Sequence, residues 1–321
     1  MTRPDPDAEP AWAFGVAPGQ PPLARTTLNR AAHRRTDEAW LAEAYKRGLV
    51  LVVDIAAGGR ALIGEADNGL VLLDADQAPA VPPAERMFLG LVDGDTPVFA
   101  VVGEVAERSG LRPADLRQAG HLLSDRDLGL LTTAAALGHW HARHPFSSQT
   151  GLPTTPTDGG WVRQDPEAGT TWPRTDPAMI VLVHDGVPGP EGRCLLGNNA
   201  TWPAGWRRRY SCLAGFVEPG ESAEAAVARE VEEEVGIPVR AITYAGSQAW
   251  PFPGSLMLGF FALADPDTPL RLDPAEIADA RWFTRREMSE VLAGTPEAPF
   301  TLSMSASIAY YLITRWHAGA R

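Results

Sequence analysis

Between Val50 and Glu104 apolar residues come in short runs, LVLVVDI, ALIGE, GLVLLD, MFLGLVD and PVFAVVGE, separated by Gly or Asp-Gly. Runs of that length between turn signals predict strands, and their close succession predicts an antiparallel meander. Apolar positions then recur at helical spacing over 113–119 and, for longer, over 125–143 (DRDLGLLTTAAALGHWHAR). Residues 145–177 lose all periodicity and fill with Pro, Thr, Gly and Asp, which predicts a domain junction. Beyond it the strand signal returns in AMIVLVHD (178–185), CLLG, YSCLAGF, ITYAGSQ, LMLGFFAL and DARWFT, with helices predicted over 222–235 and 303–317. Residues 1–24, rich in Pro, Ala and Gly, read as a mobile tail. The expected organisation is a tail over 1–24, a β-rich domain over 25–144, a linker over 145–177 and a second domain over 178–321.

Composition narrows the function. A chain of 321 residues with 45% hydrophobic content is long enough for two domains with their own cores. No apolar run reaches membrane-spanning length, and MTRPDPDAEPAWAFG lacks the basic and apolar regions of a secretion signal. Cys194 and Cys212 form no motif, which fits a reducing compartment, and a cytoplasmic location is expected. The net charge of −12 argues against broad nucleic-acid affinity and is compatible with a site that collects divalent cations.

The sharpest chemistry lies in residues 215–237, GFVEPGESAEAAVAREVEEEVGI. Ser222 suits a helix N-cap, and Gly236 followed by Pro238 suits its end. Glu230, Glu233 and Glu234 stand at i, i+3 and i+4, on one helical face. The segment contains one Arg and no Lys to relieve their repulsion. Mg²⁺ or Mn²⁺, hard cations that prefer carboxylate and phosphate oxygens, are the natural counter-charge.

The stretch resembles the Nudix box. Gly215, Glu221, Arg229, Glu230, Val231, Glu233, Glu234, Gly236 and Ile237 occupy all nine of its fixed positions. The resemblance implies an α+β architecture, a Nudix α/β/α sandwich preceded by a β-rich N-terminal accessory domain. It implies metal ligation or general-base function for Glu230, Glu233 and Glu234, with Glu233 and Glu234 as the catalytic candidates, and a supporting ion pair between Glu221 and Arg229. Which glutamate activates water stays open. The chemistry suits a diphosphate, whose charge must be screened before water can approach phosphorus in line with its leaving group.

A second motif, SQAWPFPGS (247–255), begins 11 residues after Gly236. It resembles the SQPWPFPxS signature of the NADH pyrophosphatase branch at seven of eight fixed positions, with Ala249 replacing the first proline. The resemblance implies that Trp250 and Phe216 sandwich a nicotinamide or another base, with Gln248 and Ser255 as polar contacts. It further implies a metal-binding or catalytic role for Glu276 in LDPAEIADARWF, a pocket-lining backbone at Ala309, and a homodimer. Many members of the branch hold a structural Zn²⁺ with two Cys-x-x-Cys pairs; here Ser147, Thr150, Asp165 and Ala168 stand at those positions, so no structural zinc is expected. His139, His141 and His144 read as solvated or capping residues, and the linker is expected to hold its shape around Trp161 and Trp172 or to be mobile.

The implied activity is hydrolysis of NADH or NAD⁺ to nicotinamide mononucleotide and AMP, with removal of NAD caps from RNA as a related option. The alternatives are a broader hydrolase of ADP-ribose or ADP-sugars and a non-enzymatic nucleotide sensor. The SQAWPFPGS motif disfavours the first, and the retained glutamates disfavour the second.

Overall fold

The computed structural model describes residues 20–319 other than 27, 207 and 295–297. Residues 1–19 of the expected tail lie outside that range. Its last part departs from the expectation, because Pro22–Ala24 form a 3₁₀ turn with Leu23 buried. The chain folds as two compact units, one of residues through 174 together with 251–254, the other of 175–250 together with 255–321.

In the first unit α1 (Glu38–Arg47) begins where Asp37 accepts the Trp40 N–H at 2.9 Å. Strands β1 (Leu49–Val53), β2 (Ala61–Gly64), β3 (Leu73–Asp74), β4 (Met87–Val92), β5 (Thr96–Val102) and β6 (Leu111–Ala114) follow. The main sheet has the order β3-β1-β5-β4, and β1 runs parallel to β5 with Leu49 opposite Val98. This corrects the expected antiparallel meander. Turn residues mark where a strand ends but not which strand it pairs with, and an apolar run such as Val98–Val101, buried throughout, suits either orientation. β2 leaves the sheet to pair with β6, which takes residues 111–114 out of the helix predicted from 113. The helical residues there are α2 (Leu116–Ala119), and α3 (Asp125–Arg143) matches the longer prediction, capped by Ser124.

The junction is ordered. Strands β7 (Thr155–Thr157), β8 (Val162–Asp165) and β9 (Gly169–Thr171) form an antiparallel sheet in that order. It is organised around the Asp165 carboxylate, which is 1% exposed. Asp165 accepts the Thr150 hydroxyl at 2.7 Å and the Glu167 and Ala168 amides at 2.7 and 2.9 Å. The Ser147 hydroxyl is the leading cause that holds this carboxyl well below the usual range, and the three other donors add to it. Of the four positions where the resemblance would place thiolates, Ser147, Thr150 and Ala168 therefore converge on the carboxylate of the fourth, Asp165. Trp161 contributes as expected, donating its indole N–H to Phe88 O at 2.7 Å, whereas Trp172 is 67% exposed. His144 is the C-cap residue of α3, with Nδ1 2.8 Å from Trp140 O. His141 is not solvated. Its Nε2 lies 2.8 Å from Gly160 O and its Nδ1 3.0 Å from Arg163 Nη1, so Nε2 carries the proton and Nδ1 accepts.

The second unit carries β10 (Asp176–His184), β11 (Arg193–Asn199), β12 (Arg209–Tyr210), β13 (Leu213–Phe216), β14 (Arg240–Trp250), β15 (Ser255–Leu263), β16 (Ile277–Thr284) and β17 (Thr301–Leu302). Its main sheet runs β14-β15-β10-β11-β16, with β13 also on β10. Helix α4 (Ala223–Val235) covers one face and α6 (Ile308–His317) the other, while α5 (Arg285–Leu292) follows β16. Met179, Val181 and Val183 pack with Val227 and Val231 of α4; Ile180 and Leu182 pack with Leu312 and Trp316 of α6. Burial on both faces explains the unbroken apolar run of β10, each such side chain contributing about 1.5–3 kcal/mol. This is the expected α/β/α sandwich. Helix α6 starts five residues later than the sequence pattern suggested, at the Ser307 cap.

Burial, with the Arg163 charge, pushes His141 down to about 4, so the folded state keeps it neutral where an unfolded chain would protonate it. The unfolded state then binds more protons below about pH 6.5, and stability falls on acidification from about 6.5 to 4. A His141→Gln variant, which can still donate to Gly160 O and accept from Arg163, is expected to flatten that dependence. Thermal melts across the window check it; an unchanged slope would remove His141 as the cause.

Candidate active site

Helix α4 forms where the sequence places it because Ser222 Oγ accepts the Ala225 N–H at 3.1 Å and Gly236 ends it in the left-handed region at φ 70°. Ala226, Val227, Val231 and Val235 fix its roll against the sheet. That roll turns Glu230 and Glu234 inward, 9% and 3% exposed, and leaves Glu233 exposed. Gly215 on β13 lies beneath Glu230, where a Cβ would fall inside the carboxyl group.

Arg229 is the counter-charge for this face. Its Nε and Nη2 grip Glu221 at 3.2 and 2.6 Å, its Nη1 reaches Glu230 at 3.0 Å and Glu233 at 2.9 Å, and Nη2 also donates to Phe216 O at 2.9 Å. The Glu221–Arg229 pair thus exists within a larger network than the motif implied. Arg229 holds the Glu221 carboxyl below its usual value. Glu230 is pushed up by burial, against Arg229, and Glu234 is pushed up to about 8 by burial and by the charges of Glu230 and Glu276. Glu276 is exposed, and its field reaches both buried carboxylates.

Among the described residues no three acidic, His or Cys side chains are gathered closely enough to ligate a metal. The donor chemistry nevertheless fits a hard divalent cation. Glu234 Oε2 is buried without a hydrogen-bond partner, and the charges of Glu233 and Glu276 add to burial in disfavouring ionisation of Glu230 and Glu234, with a single guanidinium nearby. Glu230, Glu233, Glu234 and Glu276 are the residues that could hold the ion.

The aromatic residues lie on the opposite, α6 side of the sheet. Trp250 closes β14 opposite Ser255, Ser255 lies opposite Asp176, and Phe216 ends β13 opposite Ala178. By register Trp250, Ser255, Asp176, Ala178 and Phe216 share one face, and the two rings stand three strand positions apart, on the order of 14 Å. Trp250 is half-buried and Phe216 is 60% exposed. Gln248 is 1% exposed, and its amide donates to Ala306 O at 3.3 Å. Ala309 is buried in α6. Residues 251–254 turn between β14 and β15 and group with the first unit, where Arg117 stacks on Phe252 at 4.0 Å. The sequence reading missed the Phe216 carbonyl as an Arg229 acceptor and Gly215 as the space for Glu230; both are backbone features, and only the invariant position of Gly215 in the motif signalled one of them.

The profile of the NUDIX domain matches residues 174–303, and that of the NADH pyrophosphatase-like rudimentary NUDIX domain matches residues 41–140. The chain is 41% identical over 319 residues to the NAD-capped RNA hydrolase NudC of Mycobacterium tuberculosis, covering 93% of this chain and 95% of that one. It is 39% identical over 205 residues to the NAD-capped RNA hydrolase NUDT12 of Homo sapiens, covering 60% of this chain and 42% of that protein. A solved NUDIX hydrolase from Nitrosomonas europaea is 25% identical with a TM-score of 0.33, covering 46% of this chain and 92% of that one.

Gly215→Ala is expected to drive Glu230 out of its position. Displacement of a positioned group by about 1 Å costs on the order of 10²-fold in rate, and overpacking costs about 1–3 kcal/mol in stability. Turnover measured beside a thermal melt checks both; near-normal turnover would show that Glu230 is not needed where it stands.

Proposed function

The chain belongs to the Nudix hydrolase family, in the branch that carries an NADH pyrophosphatase-like domain ahead of the Nudix domain, and from that premise we propose that it hydrolyses the diphosphate of NADH and NAD⁺ to nicotinamide mononucleotide and AMP and removes NAD caps from RNA. The observation that carries the reading is the complete carboxylate helix, with a buried unpartnered Glu234 oxygen on one side of the sheet and Trp250 and Phe216 on the other.

Glu230, Glu233, Glu234 and Glu276 would hold Mg²⁺ or Mn²⁺, which would supply charge screening for the diphosphate and a lowered pKa for water. The chain's own residues do the rest. Arg229 and Glu221 keep the carboxylate face in one geometry, so no reorganisation is needed when substrate arrives. Glu233, exposed, and Glu234, buried, are the two candidates to accept the proton of the attacking water. Trp250 and Phe216 offer flat rings to a base, with Ser255 between them and Ala309 behind in α6. Gln248 acts indirectly, tying β14 to the Ala306 carbonyl ahead of α6. A homodimer suits this register, because a base pinched by two rings closes more simply when the second ring comes from another copy. The Asp165 centre stands in for structural zinc.

Glu233→Gln and Glu234→Gln keep side-chain shape and lose charge, so turnover is expected to fall on the order of 10²–10⁴-fold for whichever residue is the base. The assay uses Mg²⁺ or Mn²⁺ with NADH, NAD⁺, ADP-ribose and NAD-capped RNA, and normal turnover of both variants at saturating metal rejects the assignment. Trp250→Ala is expected to raise KM for NADH several-fold to a hundredfold, the equivalent of about 1–3 kcal/mol of base stacking. KM for ADP-ribose is unchanged if the ring meets nicotinamide; a lower melting temperature with both KM values intact would make Trp250 a packing residue only. Elemental analysis after chelator-free purification is expected to find no stoichiometric zinc, and one zinc per chain would overturn the role given to Asp165.

A further inference from the structure

Arg163 is a buried cation in the first unit that the carboxylate helix does not use. It stands on β8 opposite Pro156 of β7 and is 8% exposed. Its Nε donates to Thr154 Oγ1 at 2.6 Å, its Nη2 to Thr154 O at 2.8 Å and its Nη1 to His141 Nδ1 at 3.0 Å. All three acceptors are neutral, because burial, with the Arg163 charge, holds His141 down to about 4. Among the described residues Arg163 makes no ion pair, and burial holds its guanidinium below the usual value. A buried arginine ordinarily has a carboxylate beside it, since an uncompensated charge out of water is costly.

The guanidinium is held in place. Thr154 is buried, its hydroxyl also donates to His144 O at 3.1 Å, and its amide donates to Pro145 O at 2.9 Å. Nη1 and Nη2 each carry two N–H groups and spend one on these contacts, so each keeps one. Two such donors on one plane match the two oxygens of a carboxylate. Arg163 also lines a cleft of about 470 Å³ formed by residues of the first unit, a volume typical of small-molecule sites. Met87, Val102, Ala142 and Pro156 give that cleft an apolar wall, and Val102 is left 48% exposed to water. Glu85, exposed, is the acid of its lining.

We propose that this cleft binds a small monocarboxylate with an apolar body, the carboxylate on Arg163 and the hydrocarbon part against Met87, Val102 and Pro156. The site is distinct from the carboxylate helix, which belongs to the second unit, and it does not depend on the hydrolase reading. A carboxylate supplies the missing counter-charge and fits the planar pair of donors. An apolar body removes the exposed wall from water, which inorganic phosphate cannot do. Glu85 on the lining further disfavours a dianion, which it repels more than a monoanion.

The test uses the full chain, with hexanoate and benzoate as probes and hexan-1-ol and inorganic phosphate as controls, each titrated by ligand-observed NMR. Both carboxylates are expected to bind at least about tenfold more tightly than hexan-1-ol, the share of a charge-assisted contact. Arg163→Gln is expected to remove that advantage. Arg163→Lys, which keeps the charge without the planar fork, recovers only part of it. Ala142→Trp, at an exposed position on the cleft wall, leaves Arg163 in place and is expected to abolish binding of both probes, so the proposal stays testable if Arg163→Gln does not fold. Equal binding of hexanoate and hexan-1-ol overturns the proposal, as does carboxylate binding that survives either Arg163→Gln or Ala142→Trp. Phosphate binding as tightly as hexanoate also overturns it, in favour of a simple anion contact. Competition between hexanoate and NADH would put the carboxylate in the hydrolytic site and overturn it as well.

Discussion

The active face depends on one guanidinium placed among carboxylates that would otherwise repel. Arg229 directs its donors to Glu221, Glu230, Glu233 and the Phe216 carbonyl. It therefore joins three parts of the chain, namely the loop ahead of α4, α4 itself and the end of β13. One positive charge does not reach Glu234, which burial first and the charges of Glu230 and Glu276 second push up to about 8, with one oxygen unpartnered. The arrangement is rigid and yet electrostatically incomplete, which is what a carboxylate site for a hard cation requires. Gly215 is its steric counterpart, since the Glu230 carboxylate can lie against the sheet only where that strand residue has no side chain.

Much of this was legible in the sequence because it is local. The i, i+3, i+4 spacing, the Ser222 cap and the Gly236 terminus all act within α4, so their geometry follows from helix parameters alone. The strands were legible as apolar runs for the same reason. Their pairing was not. Nothing in LVLVVDI says that its neighbour is the parallel β5, or that ALIGE leaves to pair with β6. Helix α1 went unread: it is polar, with only Ala44 and Tyr45 buried, so its pattern is weak.

The junction shows a different limit. Residues 145–177 lack periodicity because short strands of three or four residues cannot display it, and their stability comes from polar contacts. Ser147, Thr150 and Asp165 read as the loss of a metal site. In the structure the Asp165 carboxylate lies at their centre, satisfied by hydroxyl and amide donors. A buried carboxylate with that many donors keeps its charge without a cation, as its depressed pKa reflects. Arg163 supplies a second tie nearby, donating from Nε to Thr154 Oγ1 at 2.6 Å and from Nη2 to Thr154 O at 2.8 Å.

Ala249 illustrates how sequence and register divide the control of the aromatic site. From sequence alone, the loss of the first proline in SQAWPFPGS would loosen the presentation of Trp250. In the fold, Ala249 is a ladder residue opposite Leu256, and Trp250 is the last strand residue, opposite Ser255. The direction of the indole is therefore set chiefly by strand parity, which puts it on the α6 side together with Gln248. The remaining prolines act after the strand, where Pro251–Gly254 make the turn. Register also assigns Phe216 to that same side while its neighbour Gly215 faces α4. Adjacent residues of β13 thus face opposite sides of one sheet, Gly215 making room for Glu230 and Phe216 presenting an exposed ring on the α6 side. The carboxylate face and the α6 face are thus linked through a single peptide bond, and the carbonyl that follows it is held by Arg229.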